Sequence, residues 1–312
     1  MWYNLKMQNW FLVALAAPFL WSLVTIIDKF LVSKYTKGKE FSAGSLVLFS
    51  SFVGVVVVAL IGITTPDIFI IPITDKLLLL LGGALGVVWV IFYLHSLEIE
   101  EVSTVSLWML LIPVFGYLLG HWFLGEVLTK KQFLGSLIIL AGAIILSIDF
   151  TKQKISFKWR IAILMGLASL IYAGTGVIFK FVTYENSFWV SAFWEHLGLF
   201  LSGLFIFIFI PKYRRDFMNM TISGGRRIFL FNFLGDIMTV VGNLVTYGAV
   251  LIAPITLVYL VSTFQPIITL GMTFVCTMFF PLVVSEDFSQ KNIVPKLIAV
   301  AVMIGGSAVL FM

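Results

Sequence analysis

Charge is what this sequence has least of. Lys, Arg, Asp and Glu make up 35 of its 312 residues, against roughly a quarter in an ordinary soluble domain. So few charges cannot cover a water-facing surface, which excludes a soluble globular protein. Cysteine occurs once, as Cys276 within an apolar run, so neither a disulfide framework nor a Cys/His metal cluster is available. Long hydrophilic stretches are missing too. The longest, Pro211 to Arg227, spans about seventeen residues and leaves no room for a separate soluble domain. The net charge of +5 is spread through short loops rather than gathered in a patch, so nucleic acid is not an expected partner.

What the sequence has instead is apolar bulk: 61% hydrophobic residues, 31 of them Phe, with a mean hydropathy of +1.09. Such content excludes disorder and predicts a polytopic membrane protein. A helical span needs about twenty mostly apolar residues. Ten runs meet or approach that length: Phe11–Val32, Ser42–Ile63, Lys76–His95, Val102–Phe123, Phe133–Ile148, Trp159–Phe181, Phe188–Ile210, Ile228–Val250, Ile255–Phe279 and Val294–Met312. The runs are continuous rather than alternating, which predicts helices and not a barrel. The first is too long for a signal-peptide core and lacks a following small-x-small site, so it is expected to be a retained span.

The chain also repeats itself. Trp21, Lys29 and Phe30 align with Tyr172, Lys180 and Phe181 at an offset of 151; Pro113 and Pro266 match at 153, and Tyr93 and Tyr247 at 154. This predicts two five-helix units, residues 1–150 and 151–312. Five is odd, so the second unit must enter the membrane inverted, an architecture used for alternating access around a central site. Pro113 and Pro266 each lie near the middle of a span, where the missing N–H and the ring break a helix. Broken helices at matching positions point to a midplane binding site.

Leu111-Ile-Pro113-Val-Phe-Gly116 through Leu124-Gly125-Glu126-Val-Leu128-Thr129-Lys-Lys-Gln132-Phe-Leu-Gly135 to Gly142 resembles the helix 4–5 signature of the EamA family, within the drug/metabolite transporter superfamily. The second half departs from it. Glu286 lies twenty residues after Pro266, whereas Glu126 lies thirteen after Pro113, and the Leu-Gly-Glu and Thr-x-x-Gln elements are missing there. The resemblance implies ten helices in two repeats, export of amino acids, metabolites or drugs, proton coupling, termini in the cytoplasm and a place in a prokaryotic inner membrane. A monomer suffices for such a duplicated chain, and a homodimer stays open. The Lys/Arg count opposes the implied orientation. Fifteen of the twenty cations fall on the face away from the termini, and the positive-inside rule would place that face in the cytoplasm.

Ionisable residues at membrane depth are functional candidates by default. Asp28, Lys29 and Lys180 fall near span ends, where interfacial anchoring is the expected role. Glu195 and Asp236 lie about eight residues inside theirs. Around Asp236 runs a stripe of Asn232, Thr239, Asn243 and Thr246; around Glu195, one of Ser187, Ser191, Gly198 and Ser202; the ninth span adds Tyr259, Ser262, Gln265, Thr269 and Thr273. Three polar stripes predict the lining of a water-filled cavity, since facing lipid they would be unpaired. Interhelical hydrogen bonds, worth about 0.6 kcal/mol each, account for a Ser or Thr easily and for a carboxylate poorly. Glu195 or Asp236, with His196 adjacent, is therefore the expected proton site. The alternative is that one carboxylate binds a cationic group of the solute. The first half offers no mid-span carboxylate but supplies the rings of Trp21, Trp89, Tyr93 and Trp108, with Tyr172 as the partner of Trp21 in the second half. These could clamp an apolar or cationic solute, although membrane proteins are rich in Trp and Tyr anyway. Gly82, Gly86, Gly116 and Gly120 form small-xxx-small pairs expected to serve helix packing.

Enzyme signatures are absent. There is no His-Glu-x-x-His, Gly-x-Gly-Asp or Gly-x-Ser-x-Gly, and no phosphate loop. No cofactor or metal is expected. The expected function is secondary transport of a small solute, with a membrane enzyme acting on a lipid or prenyl substrate as the alternative.

Overall fold

The computed structural model describes residues 2–35, 43–127, 129–149, 156–223 and 225–311. The expected break at Lys34–Glu40, apart from its first two residues, and the boundary between the two units at 150–151 lie outside them. The described chain is helical: α1 (Trp2–Tyr35), α2 (Ala43–Thr64), α3 (Ile73–Ile99), α4 (Val102–Trp108), α5 (Leu111–Leu124), α6 (Lys130–Ser147), α7 (Trp159–Thr183), α8 (Phe188–Phe209), α9 (Pro211–Ser223), α10 (Gly225–Ile252), α11 (Ile255–Val261), α12 (Gln265–Phe279) and α13 (Gln290–Phe311). One two-residue antiparallel pairing, Ile148–Asp149 with Ser156–Phe157, joins α6 to α7. Even the Val55–Val58 run of α2, β-branched throughout, is helical. In hydrocarbon every backbone N–H must find a partner within its own segment, and that demand overrides propensity.

Among the described residues nine segments are long and apolar enough to cross a membrane. The fifth expected span corresponds to α6, whose described apolar stretch, Phe133–Gly142, is shorter. The hydrophilic stretch after α8 is more than the expected break between spans. It forms α9, which lies against α2 with the Tyr213 ring occupying the space a side chain on Gly44 would need. Burial, reinforced by Glu98 and Asp216, raises the Tyr213 hydroxyl above its ordinary pKa. Large apolar side chains such as Leu60, Phe205 and Phe209 point outward from the bundle, as a lipid-facing surface requires.

The fourth and ninth spans are each interrupted. α4 gives way to α5 at Met109–Leu110, and α11 passes through one 3-10 turn, Ser262–Phe264, into α12. Each interruption lies at the residue four before a proline. Pro113 cannot donate to the Met109 carbonyl, nor Pro266 to that of Ser262, and each ring would collide with that carbonyl in a regular helix.

The two halves interlock. α1 packs on α10 and α12, α3 on α7 and α8, α5 on α7 and α11, and α6 along α13. At each end of the bundle a glutamate from one half caps a helix of the other. Gly125, at φ 67°, ends α5 in the left-handed region and lets the chain turn back. Glu126 then accepts hydrogen bonds from the Ile255 N–H at 3.2 Å and the Thr256 hydroxyl at 3.5 Å, at the start of α11. Glu286 accepts from the Ser103 N–H at 2.9 Å and the Ser103 hydroxyl at 2.5 Å, at the start of α4. Each carboxylate meets unbonded donors and the positive end of a helix. Lys180 donates to Glu126 at 3.2 Å, while Lys296 bridges Glu286 and Glu101. Beside the second cap, Asp287 is held below the ordinary carboxylate range by the N–H and hydroxyl of Ser289.

Candidate functional site

A cavity of about 140 Å3 lies within the bundle, walled by α1, α2, α3, α7, α8 and α10 and closed by the interrupted segments at Met109 and Ser262. The α8 wall is set by glycine. A side chain on Gly83 of α3 would overlap the Glu195 carbonyl, and one on Gly198 would overlap that of Leu80. The backbones of α3 and α8 therefore touch, a contact made at Gly83 rather than at the expected Gly82 and Gly86, and Glu195 and His196 are held at the cavity. Glu195 is buried. One of its oxygens accepts the Tyr247 hydroxyl at 2.6 Å; the other, Oε2, is buried and has no hydrogen-bond partner. Tyr247 is itself fixed by stacking on Phe179 at 4.1 Å. The Nδ1 of His196 lies 2.8 Å from the Ala192 carbonyl. A carbonyl only accepts, so Nδ1 carries the hydrogen and Nε2 is the ring's remaining polar atom.

On α10, Asn232, Asp236, Thr239 and Asn243 all line the cavity. Asp236 accepts the Ser50 hydroxyl of α2 at 2.5 Å, and Asn243 accepts the Tyr172 hydroxyl at 3.3 Å. Gln265 reaches Thr25 and the Met109 sulfur, both at 3.5 Å. Trp21, Tyr93 and Tyr172 also face this space. Trp89 stacks on Tyr93 at 5.0 Å and lies 5.4 Å from Tyr172, which meets Trp21 edge-on at 6.1 Å.

Ser187, Ser191, Ser202, Thr246, Thr269 and Thr273 of the expected polar stripes are not in the lining, and two expected aromatic residues sit elsewhere as well. Tyr259 is 1% exposed and fills a crevice between Gly116 and Gly176, where any side chain would collide with it; it stands behind Tyr172 rather than in the cavity. Trp108 packs in the core, with its indole N–H buried and unpartnered. The prolines act from outside the lining as well. Pro113 and Pro266 shape the segments that present Met109, Ile112, Ser262 and Gln265.

The sequence also misplaces three charged groups. Asp28 is turned into the bundle, although it lies near the end of its span. It lines the cavity and accepts the Tyr93 hydroxyl at 3.0 Å, so the first half does supply a carboxylate. The spacing of Trp21, Thr25 and Asp28, four then three, was the available signal. Lys29 donates to the carbonyls of Leu97 and Glu100, and Lys180 to that of Ala253. Both grip the C-terminal ends of helices, contacts that the expected anchoring role does not include. Among the described residues no three His, Cys, Asp or Glu side chains gather closely enough to hold a metal ion. The carboxylates of Asp28, Glu195 and Asp236 stand on separate walls.

Residues 8–148 match the model of the EamA-like transporter family. No curated protein matches the chain. A solved crystal structure superposes with a TM-score of 0.64 at 17% identity, covering 97% of this chain and 96% of its own, a likeness that shows the fold alone. The chain is thus a multi-pass membrane protein whose residues 8–148 carry the sequence of the EamA-like transporter family.

Proposed function

We propose that the protein is a secondary active transporter that moves a small metabolite or drug-like solute out of the cell in exchange for protons. The observation that carries this reading is Glu195. It sits seven residues into α8, about 10 Å along the helix axis, with one carboxylate oxygen held by Tyr247 and the other unpartnered. A carboxylate in that state is costly to keep charged unless a proton or a cation joins it. Alternate occupancy by the two is a means of coupling. Asp236 and Asp28, each held by one hydroxyl, serve the same cavity.

Ten spans in two inverted five-helix repeats is the architecture we infer. α6 has 18 residues, a rise of about 27 Å against a hydrocarbon core of about 30 Å, and its packing partner α13 is its counterpart in the second half. The interruptions before Pro113 and Pro266, the lysines at 29 and 180 and the caps at Glu126 and Glu286 support the same pairing. The two caps close opposite ends of the bundle, so releasing one while the other holds would open the cavity to one side. With ten spans both termini share a face, and the Lys/Arg count puts that face outside a prokaryotic inner membrane. A C-terminal reporter fusion active only in the cytoplasm would refute that orientation.

The test is uptake by the purified full chain reconstituted into vesicles, run against a panel of amino acids, metabolites and amines with an imposed pH gradient. At least one solute is expected to accumulate several-fold with the gradient and to fall to the passive level when the gradient is collapsed. No gradient-dependent accumulation of any panel member contradicts the reading.

A further inference from the structure

We propose that the cavity selects an organic cation bearing a single flat ring, a quaternary or protonated aromatic amine, over zwitterions and anions. This rests on the transport reading and names the class of solute for that same site. Carboxylates enter from three walls, Asp28 on α1, Glu195 on α8 and Asp236 on α10, and among the described residues lining the cavity there is no Lys or Arg. Lys29, one residue from Asp28, is turned to the carbonyls of Leu97 and Glu100. The Glu195 Oε2 atom is buried without a partner, an acceptor that a cationic N–H or N-methyl group would complete.

The rings of the same cavity fit the rest of such a solute. Trp21, Trp89, Tyr93 and Tyr172 form a continuous aromatic surface, with neighbouring ring centroids 5.0 to 6.1 Å apart. Aromatic faces attract cations most strongly where water is excluded. At about 140 Å3 the cavity is close in size to one of about 150 Å3 that takes a benzene ring.

A solute carboxylate would find little to receive it. The interrupted helices look like anion sites, since half-helix N-termini serve that purpose in other transporters. Here their N–H groups are already used. Those of Met109, Leu110 and Ile112 donate to Ser106, Leu107 and Met109, and the Gln265 N–H donates to Ser262. Three resident carboxylates would then repel the incoming one.

The experiment uses three probes built on one ring size: N-methylpyridinium (cation), N-methylpyridinium-3-carboxylate (zwitterion) and benzoate (anion). Binding to the purified full chain in detergent is measured by equilibrium dialysis, and movement by counterflow in vesicles. The cation is expected to bind at least about tenfold tighter than either other probe. Glu195→Gln is expected to weaken that binding about tenfold, and Trp89→Leu by several-fold, while both variants elute as wild type does on size exclusion. If Glu195→Gln misfolds, Asp236→Asn gives the same readout. Equal or tighter binding of the zwitterion or anion, or binding of none of the three, overturns the inference. The transport reading then stands or falls separately, on whether the solute panel shows gradient-driven uptake. Cation binding without counterflow supports the site and sinks transport.

Discussion

The two glutamate caps do the same job with different means. Glu126 meets the start of α11 with its side chain about 20% exposed, beside one lysine, Lys180, that is 17% exposed. Glu286 meets the start of α4 at 1% exposure, and its lysine, Lys296, at 7%, is shared with Glu101 and also donates to the Ser103 hydroxyl. The first is a cap in partial contact with solvent. The second is a buried network in which every member depends on the others. Buried charged groups are severe to unpair, and exposed ones are not. The Glu126 end is therefore the more easily released of the two.

Substitutions can break that contrast or sharpen it. Glu286→Ala takes from Lys296 the more buried of its two carboxylates, leaving it Glu101, and leaves the Ser103 N–H unbonded, so it should lower stability most, by about 3 kcal/mol. Glu126→Ala removes a cap whose lysine still reaches the Ala253 carbonyl, and should cost about 1–2 kcal/mol. Gly125→Ala meets no neighbouring atom but must hold φ 67°, a penalty of about 1 kcal/mol. It disturbs the same cap, so combined with Glu126→Ala it should cost less than the sum of the two. Unfolding of the purified variants in detergent, compared with wild type, checks the order. Equal losses for Glu286→Ala and Glu126→Ala would remove the distinction between the two ends.

The caps also mark where sequence reasoning stopped. Nine of the expected spans reappear with ends shifted by a few residues, because twenty apolar residues in hydrocarbon have little choice but to be helical. Pro211 to Arg227 reads from sequence only as a hydrophilic break between spans. Its helix α9 depends on seating Tyr213 over Gly44, a long-range contact with no local signature. Asp28 reads from sequence as an anchor near a span end, and only the packing of α1 on α3, with Tyr93 donating to it, turns it to the cavity. Tyr259 shares the face of Gln265 and Thr269 by helical spacing, yet the Gly116 and Gly176 crevice takes it away from the cavity. Glu286 matched Glu126 poorly by position. Its equivalence lies in the Ser103 N–H it reaches, a fact of tertiary structure. The polar stripe of α10 was legible because one helix face carries it whole.

The central claim is that Glu195 links solute to protons inside the cavity. The most direct measurement is gradient-driven uptake in vesicles by the wild type and by Glu195→Gln, for whichever solute the wild type accumulates, across a range of imposed pH gradients. Wild-type uptake should rise with the gradient, while Glu195→Gln, folded and present in equal amount, should show uptake that no longer responds to it. A Glu195→Gln protein that keeps the wild-type response to the gradient would contradict the account.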